Sequence, residues 1–371
     1  MAQLKDLCKK GSSNIAQKDL ANNSGIYPIY GATGFIKNVD FYAQEKPYIA
    51  VVKDGAGVGR VMKLPAYSSV IGTLQYIIPN DDINVDYLAY AMEYMNLSKY
   101  YMGAAIPHIY FKDYCNEEMP LYIAKEQQEI SDTLDKICEL IKNRKEQLLK
   151  LDELVKARFV EMFGDPVDNP KNYLVKSLQE LIDMGYITYH LDGNHGGDYP
   201  RSEEFVDSGV PYIGANSIVN GEIDFSMAKY LTVERAGKLR KGIAQNEDVL
   251  FAHNATVGPT VVLHTTEAKV ILSTSLTAYR CNKSQLLPNY LRTYMLSDGF
   301  IRQYSAEMKQ TTRNQVPITA QKKYLFLVPP IAEQEQFAAF VEQTDKSKFE
   351  VQQSLEKLEI LKKSLMQQYF G

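Results

Sequence analysis

The stretch that decides the fold runs from Glu126 to Gly164 and reads EQQEISDTLDKICELIKNRKEQLLKLDELVKARFVEMFG. Its apolar residues recur at alternating intervals of four and three, which is the heptad pattern of a helix that packs on a partner helix. The seam consists of Ile130, Leu134, Ile137, Ile141, Leu148, Leu151, Val155 and Met162, with Arg144 and Arg158 in its two gaps. At about 1.5 Å per residue, such a helix spans on the order of 58 Å.

The same stretch occurs again, in weakened form, from Glu333 to Gly371. A constant offset places these residues on the second seam: Phe337, Val341, Thr344, Lys348, Val351, Leu355, Leu358, Lys362, Leu365 and Tyr369. Identical residues in this register include the pairs Gln127/Gln334, Leu154/Leu361 and Phe163/Phe370. The repeat predicts two long helices, each of which covers the apolar seam of the other. The alternative is two unrelated surface helices of a larger domain.

The rest of the chain repeats as well, so the whole sequence is a tandem. Matching segments are Leu4–Gly11 with Leu178–Gly185, Tyr27–Gly34 with Val210–Ser217, Val51–Val61 with Leu250–Val262, Val70–Leu74 with Ile271–Leu276, Asp86–Met95 with Asn289–Asp298, and Ala105–Phe111 with Thr312–Ile318. We predict helical openings at Leu4–Gly11 and Leu178–Gly185, and a strand, a glycine turn and a second strand in both members of the third pair. The extra length of the second half falls mainly between Gly185 and Val210, where Tyr189–Glu204 (YHLDGNHGGDYPRSEE) predicts a polar, glycine-rich loop.

The composition is typical of folded globular domains, but it gives no sign by itself of a nucleic-acid-binding protein. The net charge is −4, and 45% of the residues are hydrophobic. The four cysteines are far apart and form no CxxC pair, which argues against a zinc site or a disulfide framework. The start of the chain has no signal-peptide pattern, and no apolar run reaches the length of a membrane span. We therefore expect a soluble cytoplasmic protein without a membrane partner.

The tandem resembles the specificity subunit of type I restriction-modification systems, over essentially the whole chain. The resemblance rests on Thr311–Asn314 before Val316, on the exit Leu327–Gln334, and on the paired helices. In the first half the corresponding segment between the last strand and the long helix, Met119–Gln127, matches this pattern less well, since Leu121 and Tyr122 stand where prolines would be. The resemblance implies an α+β fold in which two pseudo-repeated mixed α/β target-recognition globules are separated by two long helices, packed as an antiparallel coiled coil.

The resemblance also implies the domain limits and the partners. Residues 1–119 and 166–329 would be the two target-recognition domains, and residues 120–165 and 330–371 the two spacer helices. Each globule would recognise one half of a split, asymmetric site in double-stranded DNA. The helix pair would set the spacer and dock two methyltransferase subunits, and a restriction (nuclease and translocase) subunit is left open. The chain itself would be non-catalytic and would need no cofactor.

Candidate DNA contacts come from loops rich in cations, amides and hydroxyls, because phosphates attract cations and base edges pair with amides. In the first half they are Tyr30, Thr33, Lys37, Lys53, Arg60, Lys63, His108, Tyr110 and Lys112. In the second half they are Asn216, Ser217, His253, Asn254, Thr256, Lys309, Gln310, Arg313, Asn314 and Gln315. Each could instead be a solvated loop residue, and the cluster Lys309–Gln315 could be a structural motif.

Several motifs of other functions fail on their spacing. The run DGAGVGR (Asp54–Arg60) resembles a cofactor-binding glycine loop, but Pro65 interrupts the helix that should follow, so a β-turn is the better interpretation. Asn169–Tyr173 has lysine where an adenine-methylation motif has its second proline, and no phosphate-binding loop is present. His190 and His195 lack the spacing of a metal site.

Two further functions compete with DNA specificity. One is a coiled-coil scaffold with two protein-binding globules and no DNA contact, which the near-neutral charge favours. The other is a self-contained methyltransferase, which the missing motifs disfavour. Arg144 and Arg158 either set the register of the helix pair or face a methyltransferase subunit, and the sequence does not separate these roles.

Overall fold

The structure is a computed structural model that describes residues 1–102, 107–166, 168–308 and 314–371. Two compact units are present. Unit 1 comprises Met1–Glu146 and Val351–Gly371, and unit 2 comprises Gln147–Glu350. Within the described ranges, no helix is both long and apolar enough to cross a membrane.

Unit 1 contains nine strands and the first long helix among its described residues. Its strands are β1 (Ala2–Gln3), β2 (Cys8–Ser12), β3 (Tyr27–Gly31), β4 (Gly34–Val39), β5 (Tyr48–Val52), β6 (Val61–Leu64), β7 (Ser69–Val70), β8 (Leu74–Pro79) and β9 (Glu118–Met119). Its helices are α1 (Leu4–Leu7), α2 (Val85–Tyr94), α3 (Phe111–Tyr114) and the first part of α4 (Ala124–Phe163). The predicted opening helix is therefore short, because Cys8–Ser12 forms a strand.

Unit 2 repeats this order with additions. Its strands are β10 (Leu174–Ser177), β11 (Ile187–Asp192), β12 (Phe205–Val206), β13 (Val210–Ile213), β14 (Ile218–Val219), β15 (Glu222–Ile223), β16 (Lys229–Leu231), β17 (Ile243–Ala244), β18 (Val249–Asn254), β19 (Thr256–Val262), β20 (Val270–Leu272), β21 (Leu276–Cys281) and β22 (Leu325–Val328). Its helices are α5 (Leu178–Asp183), α6 (Val233–Gly237), α7 (Pro288–Met295), α8 (Asp298–Met308), α9 (Ile318–Gln321) and the first part of α10 (Ile331–Phe370).

The central sheet has the same strand order in both units. It is β2-β8-β5-β6 in unit 1 and β11-β21-β18-β19 in unit 2, with antiparallel pairing throughout. In each unit a second sheet contains one parallel pair, β3 with β7 and β13 with β20. A short antiparallel pair, β1 with β9 or β10 with β22, joins the start of each half to its last strand. The tandem seen in the sequence is thus a repeat of topology.

Burial on both faces of the central sheet explains the apolar sequence of its inner strands. All five residues of β5 are buried, and alternate side chains enter different cores. Ile49 and Val51 pack with α2 and the long helices, whereas Tyr48 and Ala50 pack against the second sheet. In unit 2 the side chains of β18 divide in the same way between two cores. The mixed α/β class is therefore confirmed.

The two long helices run antiparallel within each unit. In unit 1, Arg144 Nε of α4 donates to Ser354 Oγ of α10 (3.2 Å), and Lys145 pairs with Glu359 (2.9 Å). In the core of the same unit, Ile130 from the start of α4 meets Phe370 from the end of α10. The seam residues predicted from the heptads are all buried or half-buried.

Unit 2 contains the other halves of the same two helices. Lys348 of α10 pairs with Asp152 of α4 (2.5 Å). Further along, the ring of Phe159 lies 5.5 Å from that of Phe337, so the end of α4 packs on the start of α10. Arg158 lies over the ring of Phe340 (5.8 Å) and pairs with Glu161 (2.8 Å). The aliphatic part of the Arg158 side chain therefore fills this position of the seam, while its guanidinium pairs with Glu161.

A buried glutamine fixes the start of each long helix. Gln127 Oε1 accepts the backbone N–H of Asn84 at the start of α2 (2.9 Å), and its amide donates to the carbonyl of Tyr122 (2.9 Å). Gln334 makes the matching bonds to the N–H of Leu287, before α7, and to the carbonyl of Pro329 (both 2.9 Å). The repeated glutamine thus satisfies backbone groups that burial would otherwise leave unpaired.

One sequence prediction about the fold is wrong. The sequence predicts a loop over Tyr189–Glu204, yet the first four of these residues belong to β11 (Ile187–Asp192), an edge strand of the central sheet. The buried residues of this strand include His190 and Asp192. Because these polar side chains take inward-facing positions, the strand lacks the apolar alternation by which it could be recognised.

Candidate nucleic-acid interface

The loop between β5 and β6 is held by a second segment of unit 1. The backbone N–H of Ile109 donates to the carbonyl of Lys53 (2.9 Å), and the N–H of Gly55 donates to the carbonyl of Pro107 (2.9 Å). The N–H of Lys53 itself donates to the carbonyl of Thr73 (3.0 Å). We call the contact between residues 53–60 and residues 107–112 the first hairpin junction.

Unit 2 contains the same contact between β18–β19 and the segment before α9. The N–H of Val316 donates to the carbonyl of His253 (2.8 Å), and the N–H of Ala255 donates to the carbonyl of Asn314 (2.9 Å). The N–H of His253 donates to the carbonyl of Ser275 (3.0 Å), as that of Lys53 does to Thr73. Residues 253–257 with residues 314–316 form the second hairpin junction.

Glycine is required in the first hairpin junction. Gly55, Gly57 and Gly59 all have positive φ, and a Cβ at Gly59 would lie 2.4 Å from the backbone nitrogen of Ser98. The expected turn is therefore present between two antiparallel strands. In unit 2 the turn is not at Gly258, as the sequence suggested, but at Ala255, whose φ is 64°. The hydrogen bond that the N–H of Ala255 donates to the carbonyl of Asn314 holds this strained residue in place.

Arg60 joins the first hairpin junction to a second turn. Its guanidinium donates to the carbonyl of Ala32 (2.9 Å), in the turn between β3 and β4 that also carries Thr33. Thr33 and Arg60 are both exposed. Two loops that are distant in the sequence therefore present one cation and one hydroxyl side by side.

The other arm of the first hairpin junction carries aromatic and basic side chains. The ring of His108 lies 5.1 Å from that of Tyr110, and Lys112 Nζ lies 5.4 Å from the centre of the Tyr110 ring. Lys53 is half-buried and lies 3.8 Å from the Asp54 carboxylate. The structure thus brings Lys53, Arg60, Thr33, His108, Tyr110 and Lys112 together.

Three predicted contacts of unit 1 lie apart from this group. Lys37 Nζ donates to the carbonyl of Leu20 (3.0 Å), and Lys63 forms an ion pair with Asp86 at the start of α2. Tyr30 is half-buried against Phe35, and burial raises the pKa of its hydroxyl. All three side chains have a local structural role, so the surface proposed below leaves them out.

Asn216 and Ser217 occupy a short turn after β13. Ser217 is fully buried, and its hydroxyl accepts the backbone N–H of Gly214 (3.5 Å). Asn216 is exposed. The turn is tied to Ser275, whose hydroxyl accepts the N–H of Ala215 (2.8 Å). Since Ser275 also holds His253, the Asn216 turn adjoins the second hairpin junction.

His253 is buried beneath the second hairpin junction. Its Nδ1 lies 3.0 Å from the carbonyl of Val316, and its Nε2 has no hydrogen-bond partner. Burial lowers the pKa of His253, and it lowers that of the neighbouring His190 to about 4. Both imidazoles are therefore neutral at physiological pH, and the side chains of Ser217 and His253, predicted as exposed loop residues, are buried.

The remaining predicted residues of unit 2 divide into two groups. Asn254, Thr256, Asn314 and Gln315 belong to the second hairpin junction, where Asn254 and Gln315 form an antiparallel bridge. Thr256 and Asn314 are exposed, and the other two are half-buried. The predictions for Lys309, Gln310 and Arg313 lie outside the described residues.

No metal centre is formed by the part of the chain that the structure describes. His195 Nε2 lies 2.6 Å from the Asp192 carboxylate, but this pair recruits no third ligand among those residues. The sequence analysis also missed exposed apolar side chains next to the first hairpin junction, namely Phe35, Tyr101 and Met102.

Comparison with known proteins identifies relatives along the whole chain. The family model described as "Type I restriction modification DNA specificity domain" matches residues 1–151 and 170–361. Two curated proteins of Methanocaldococcus jannaschii are similar. The type I restriction enzyme MjaVIII specificity subunit is 22% identical over 61% of this chain and 54% of its own length. The MjaIX specificity subunit is 24% identical over 56% of this chain and 51% of its own length. The chain thus spans about half the length of these relatives.

Solved structures show the same fold. The S subunit of a type I restriction-modification system from M. genitalium superposes with a TM-score of 0.63 at 15% identity, covering 100% of this chain and 95% of the other. A chain from a study of complex assembly and conformational transition of the type I R-M system superposes with a TM-score of 0.55 at 15% identity, covering 99% and 96%. At this identity the likeness concerns the fold alone.

Proposed function

Because this chain belongs to the type I restriction-modification DNA specificity domain family, we propose that it is a non-catalytic subunit that directs methylation to a split, asymmetric DNA site. Unit 1 recognises one half-site, and unit 2 recognises the other. The observation that supports this most is the pair of hairpin junctions. Both have the same backbone hydrogen bonds, yet they carry different side chains at their tips. Two equivalent supports with different contacts suit two different half-sites.

The side chains proposed to meet DNA are those that the junctions leave accessible. In unit 1, Lys53, Arg60 and Lys112 bind phosphates, and Thr33, His108 and Tyr110 lie beside them. In unit 2, Asn216, Asn254, Thr256, Asn314 and Gln315 offer amides and a hydroxyl, which suit base edges. Lys309, Gln310 and Arg313 remain predicted contacts. Since the formal charge of the chain is −4, binding depends on these local cations rather than on net charge.

The helix pair is proposed to set the spacer between the half-sites. Helices α4 and α10 each have 40 residues and contact each other antiparallel within each unit. A helix of that length spans on the order of 60 Å, which is longer than one turn of duplex at about 34 Å. The predicted limits at residues 119, 165 and 329 remain our proposal for where recognition domains and spacer helices meet.

The outer faces of the same helices are proposed to dock two methyltransferase subunits. Large apolar side chains are exposed there, namely Leu140, Leu149, Phe349, Ile360 and Leu361. Each long helix therefore leaves apolar side chains uncovered, which a partner subunit can bury. A restriction subunit is compatible with this arrangement but is not required for methylation.

The decisive experiment maps DNA methylation. The chain is expressed with its cognate methyltransferase subunits in a host that lacks other methylation, and modified adenines are located by long-read sequencing. We expect one bipartite motif with two unlike halves, which disappears when this chain is omitted. Methylation that persists unchanged without the chain would show that specificity resides elsewhere.

A second experiment tests the spacer. Four residues are inserted into α4 between Glu146 and Gln147, and the motif is mapped again. The spacer length should change while the bases of both half-sites stay the same. As a control, four residues are inserted after Thr266, in the exposed loop between β19 and β20, where the motif should not change at all. A change of bases with a constant spacer would contradict the role of the helices.

A protein-binding scaffold without DNA contact is the second candidate, favoured by the sequence pI of about 5.9. The salt dependence of binding separates the two functions. If DNA is the partner, the logarithm of the affinity of the assembled complex falls steeply as the logarithm of salt concentration rises. A flat response, or no binding, would favour the scaffold.

A further inference from the structure

Three large apolar side chains surround the first hairpin junction and are open to solvent. Phe35, Met102 and Tyr110 are 60%, 57% and 52% exposed. Single exposed apolar residues are ordinary on a protein surface. These three, however, lie on segments that belong to the first hairpin junction or are hydrogen-bonded to it. We refer to Phe35, Met102 and Tyr110 as the apolar rim.

Hydrogen bonds fix the segments that carry the apolar rim. Phe35 follows the turn whose Ala32 carbonyl accepts the Arg60 guanidinium (2.9 Å). Met102 and His108 exchange two backbone hydrogen bonds of 2.9 Å, which place Met102 against the arm that bears Tyr110. The segments of the rim are therefore held by the same kind of contact that holds the junction.

Cations are interleaved with the apolar rim. Arg60 lies between the Phe35 turn and the glycine loop, and Lys112 Nζ lies 5.4 Å from the centre of the Tyr110 ring. The partner of this surface must therefore be anionic and must also present apolar groups close to its negative charges. The major groove of DNA fits this description, since phosphates line it and the C5 methyl group of thymine projects into it.

Unit 2 has amide side chains at two positions that correspond to neighbours of the apolar rim. Asn216 stands in the turn that matches Thr33, and Asn314 stands where unit 1 has Pro107. Ile218, which follows the Asn216 turn as Phe35 follows the turn of unit 1, is half-buried against the core. Amides dominate the described part of this surface, and amides favour hydrogen bonds to adenine edges.

Resting on the proposed function, we infer that the two units recognise bases by different chemistry. The apolar rim of unit 1, above all Phe35 and Met102, recognises thymine by contact with its methyl group. The amides of unit 2 recognise their half-site by hydrogen bonds. It follows that the half-site of unit 1 contains at least one A·T pair.

The test replaces thymine by deoxyuridine, which removes one methyl group and leaves the pairing edge unchanged. First, the half-site of unit 2 is identified as the one whose bases relax in the methylome of an Asn254→Ala/Asn314→Ala variant. The assembled complex is then titrated with duplexes that carry deoxyuridine in one half-site or the other. We expect about a fourfold loss of affinity per methyl contacted in the half-site of unit 1, and less than a twofold loss in that of unit 2.

Variants of the rim complete the test. Phe35→Ala and Met102→Ala should weaken binding to the thymine duplex and should respond little to deoxyuridine, because the methyl contact is already lost. Ile26→Ala is the matched control, since Ile26 is 78% exposed and precedes the other end of β3. The Ile26→Ala variant should keep the affinity for the thymine duplex and should lose affinity for the deoxyuridine duplex as the unmodified chain does. Arg60→Gln should weaken every duplex by the same factor.

Three results would overturn the inference while leaving the proposed function intact. They are equal affinity for thymine and deoxyuridine duplexes, a half-site of unit 1 without any A·T pair, and rim variants that keep the full response to deoxyuridine. If the complex instead shows no sequence-specific methylation at all, the proposed function fails, and this outcome is distinct from the other three. Tight binding of the chain to anionic lipid vesicles with no preference for duplex sequence would also overturn the inference.

Discussion

Units 1 and 2 have the same central sheet and the same junction hydrogen bonds, yet they differ at nearly every side chain of the junction. Lys53 in unit 1 corresponds to His253 in unit 2, and Gly55 corresponds to Ala255. The Lys53 side chain is partly exposed, whereas His253 is buried. Backbone hydrogen bonds therefore preserve the support, and the side chains mounted on it are free to vary.

The positions that do not vary are those that close each core. Phe370 at the end of α10 packs on Tyr87 of α2 (5.3 Å between ring centres), and Phe163 at the end of α4 packs on Tyr290 of α7 (4.9 Å). Gln127 and Gln334 hold the helix starts in both units. The comparison shows that one framework can carry two different sets of surface side chains, provided that these buried residues are kept.

The largest effect is expected from truncating the closing aromatic residues. Phe163→Ala should lower the free energy of unfolding by about 3 to 5 kcal/mol, because it leaves a cavity among Phe159, Tyr290 and Phe337. Phe370→Ala should cost less, since Phe370 keeps 6% exposure and Phe163 has none. Denaturant unfolding, with hydrogen exchange to assign the loss to a unit, provides the measurement.

Leu154→Ala and Leu361→Ala serve as controls for that pair. These residues are identical in the repeat, but their side chains are 48% and 46% exposed. Each should change the free energy of unfolding by less than about 0.5 kcal/mol. If the two phenylalanine variants were equally harmless, the claim that these rings close the cores would fail.

Acid should distinguish the two units next. Burial holds the pKa of His190 at about 4, whereas an unfolded histidine titrates near 6.5. The unfolded state therefore takes up the proton first, so unit 2 loses stability as the pH falls from about 6.5 to about 4. The loss is on the order of 3 kcal/mol. His253, whose pKa burial also lowers, adds to it in the same direction.

Hydrogen exchange as a function of pH checks this difference. Amides of β18 and β21 should lose protection in that range, whereas those of β5 and β8 should change less, because no histidine is among the described buried residues of unit 1. His190→Gln should remove most of the loss. Equal acid sensitivity of both units would refute the assignment to these histidines.

A smaller effect is expected at the helix starts. Gln127→Leu and Gln334→Leu keep the side-chain volume but leave buried backbone groups without partners, which should cost about 2 kcal/mol each. Gln334 should be the more sensitive, since its amide also donates to the carbonyl of Gln285 (3.1 Å). Thermal or denaturant unfolding measures the cost. The exposed neighbour Gln128 provides the control, and a Gln128→Leu variant as damaged as the other two would argue against the clamp.

The smallest effect concerns phosphate contacts. Lys112→Gln should lower the affinity of the complex for every duplex by a few-fold and should reduce the salt slope by roughly one. Lys63→Gln is the matched control, because Lys63 is already paired with Asp86 and should leave the salt slope unchanged. Titrations at several salt concentrations decide the matter. A reduced slope in the Lys63 variant would return this residue to the DNA surface.

The repeat and the long helices could be predicted because their signal is local and regular. The heptad seam from Ile130 to Met162 depends only on spacing, and the observed helix extends to Phe163. Gly164 follows with a positive φ, which ends the helix at the last residue of the repeated stretch. The mixed α/β class followed from the alternation of strand and helix segments in both halves.

The positions that escaped prediction depend on partners far along the chain. The sequence of β11 resembles a loop, because the partner of its buried polar residue His190 is far away in the sequence. His190 Nε2 lies 3.1 Å from Gln321 Oε1. The burial of His253 could not be predicted, because nothing near it in the sequence shows that Val316 covers it. The apolar rim forms only when three segments meet, so no local pattern announces it.

The division of α10 between the units has a consequence for synthesis on the ribosome. Met366 and Phe370 belong to the core of unit 1, together with residues as early as Leu4. Unit 2, by contrast, is one uninterrupted segment from Gln147 to Glu350. The half that is translated first must therefore wait, with part of its apolar surface uncovered, until the half that is translated second has emerged. During this interval the uncovered apolar surface favours aggregation, and unit 1 can complete its core only after unit 2 has been made.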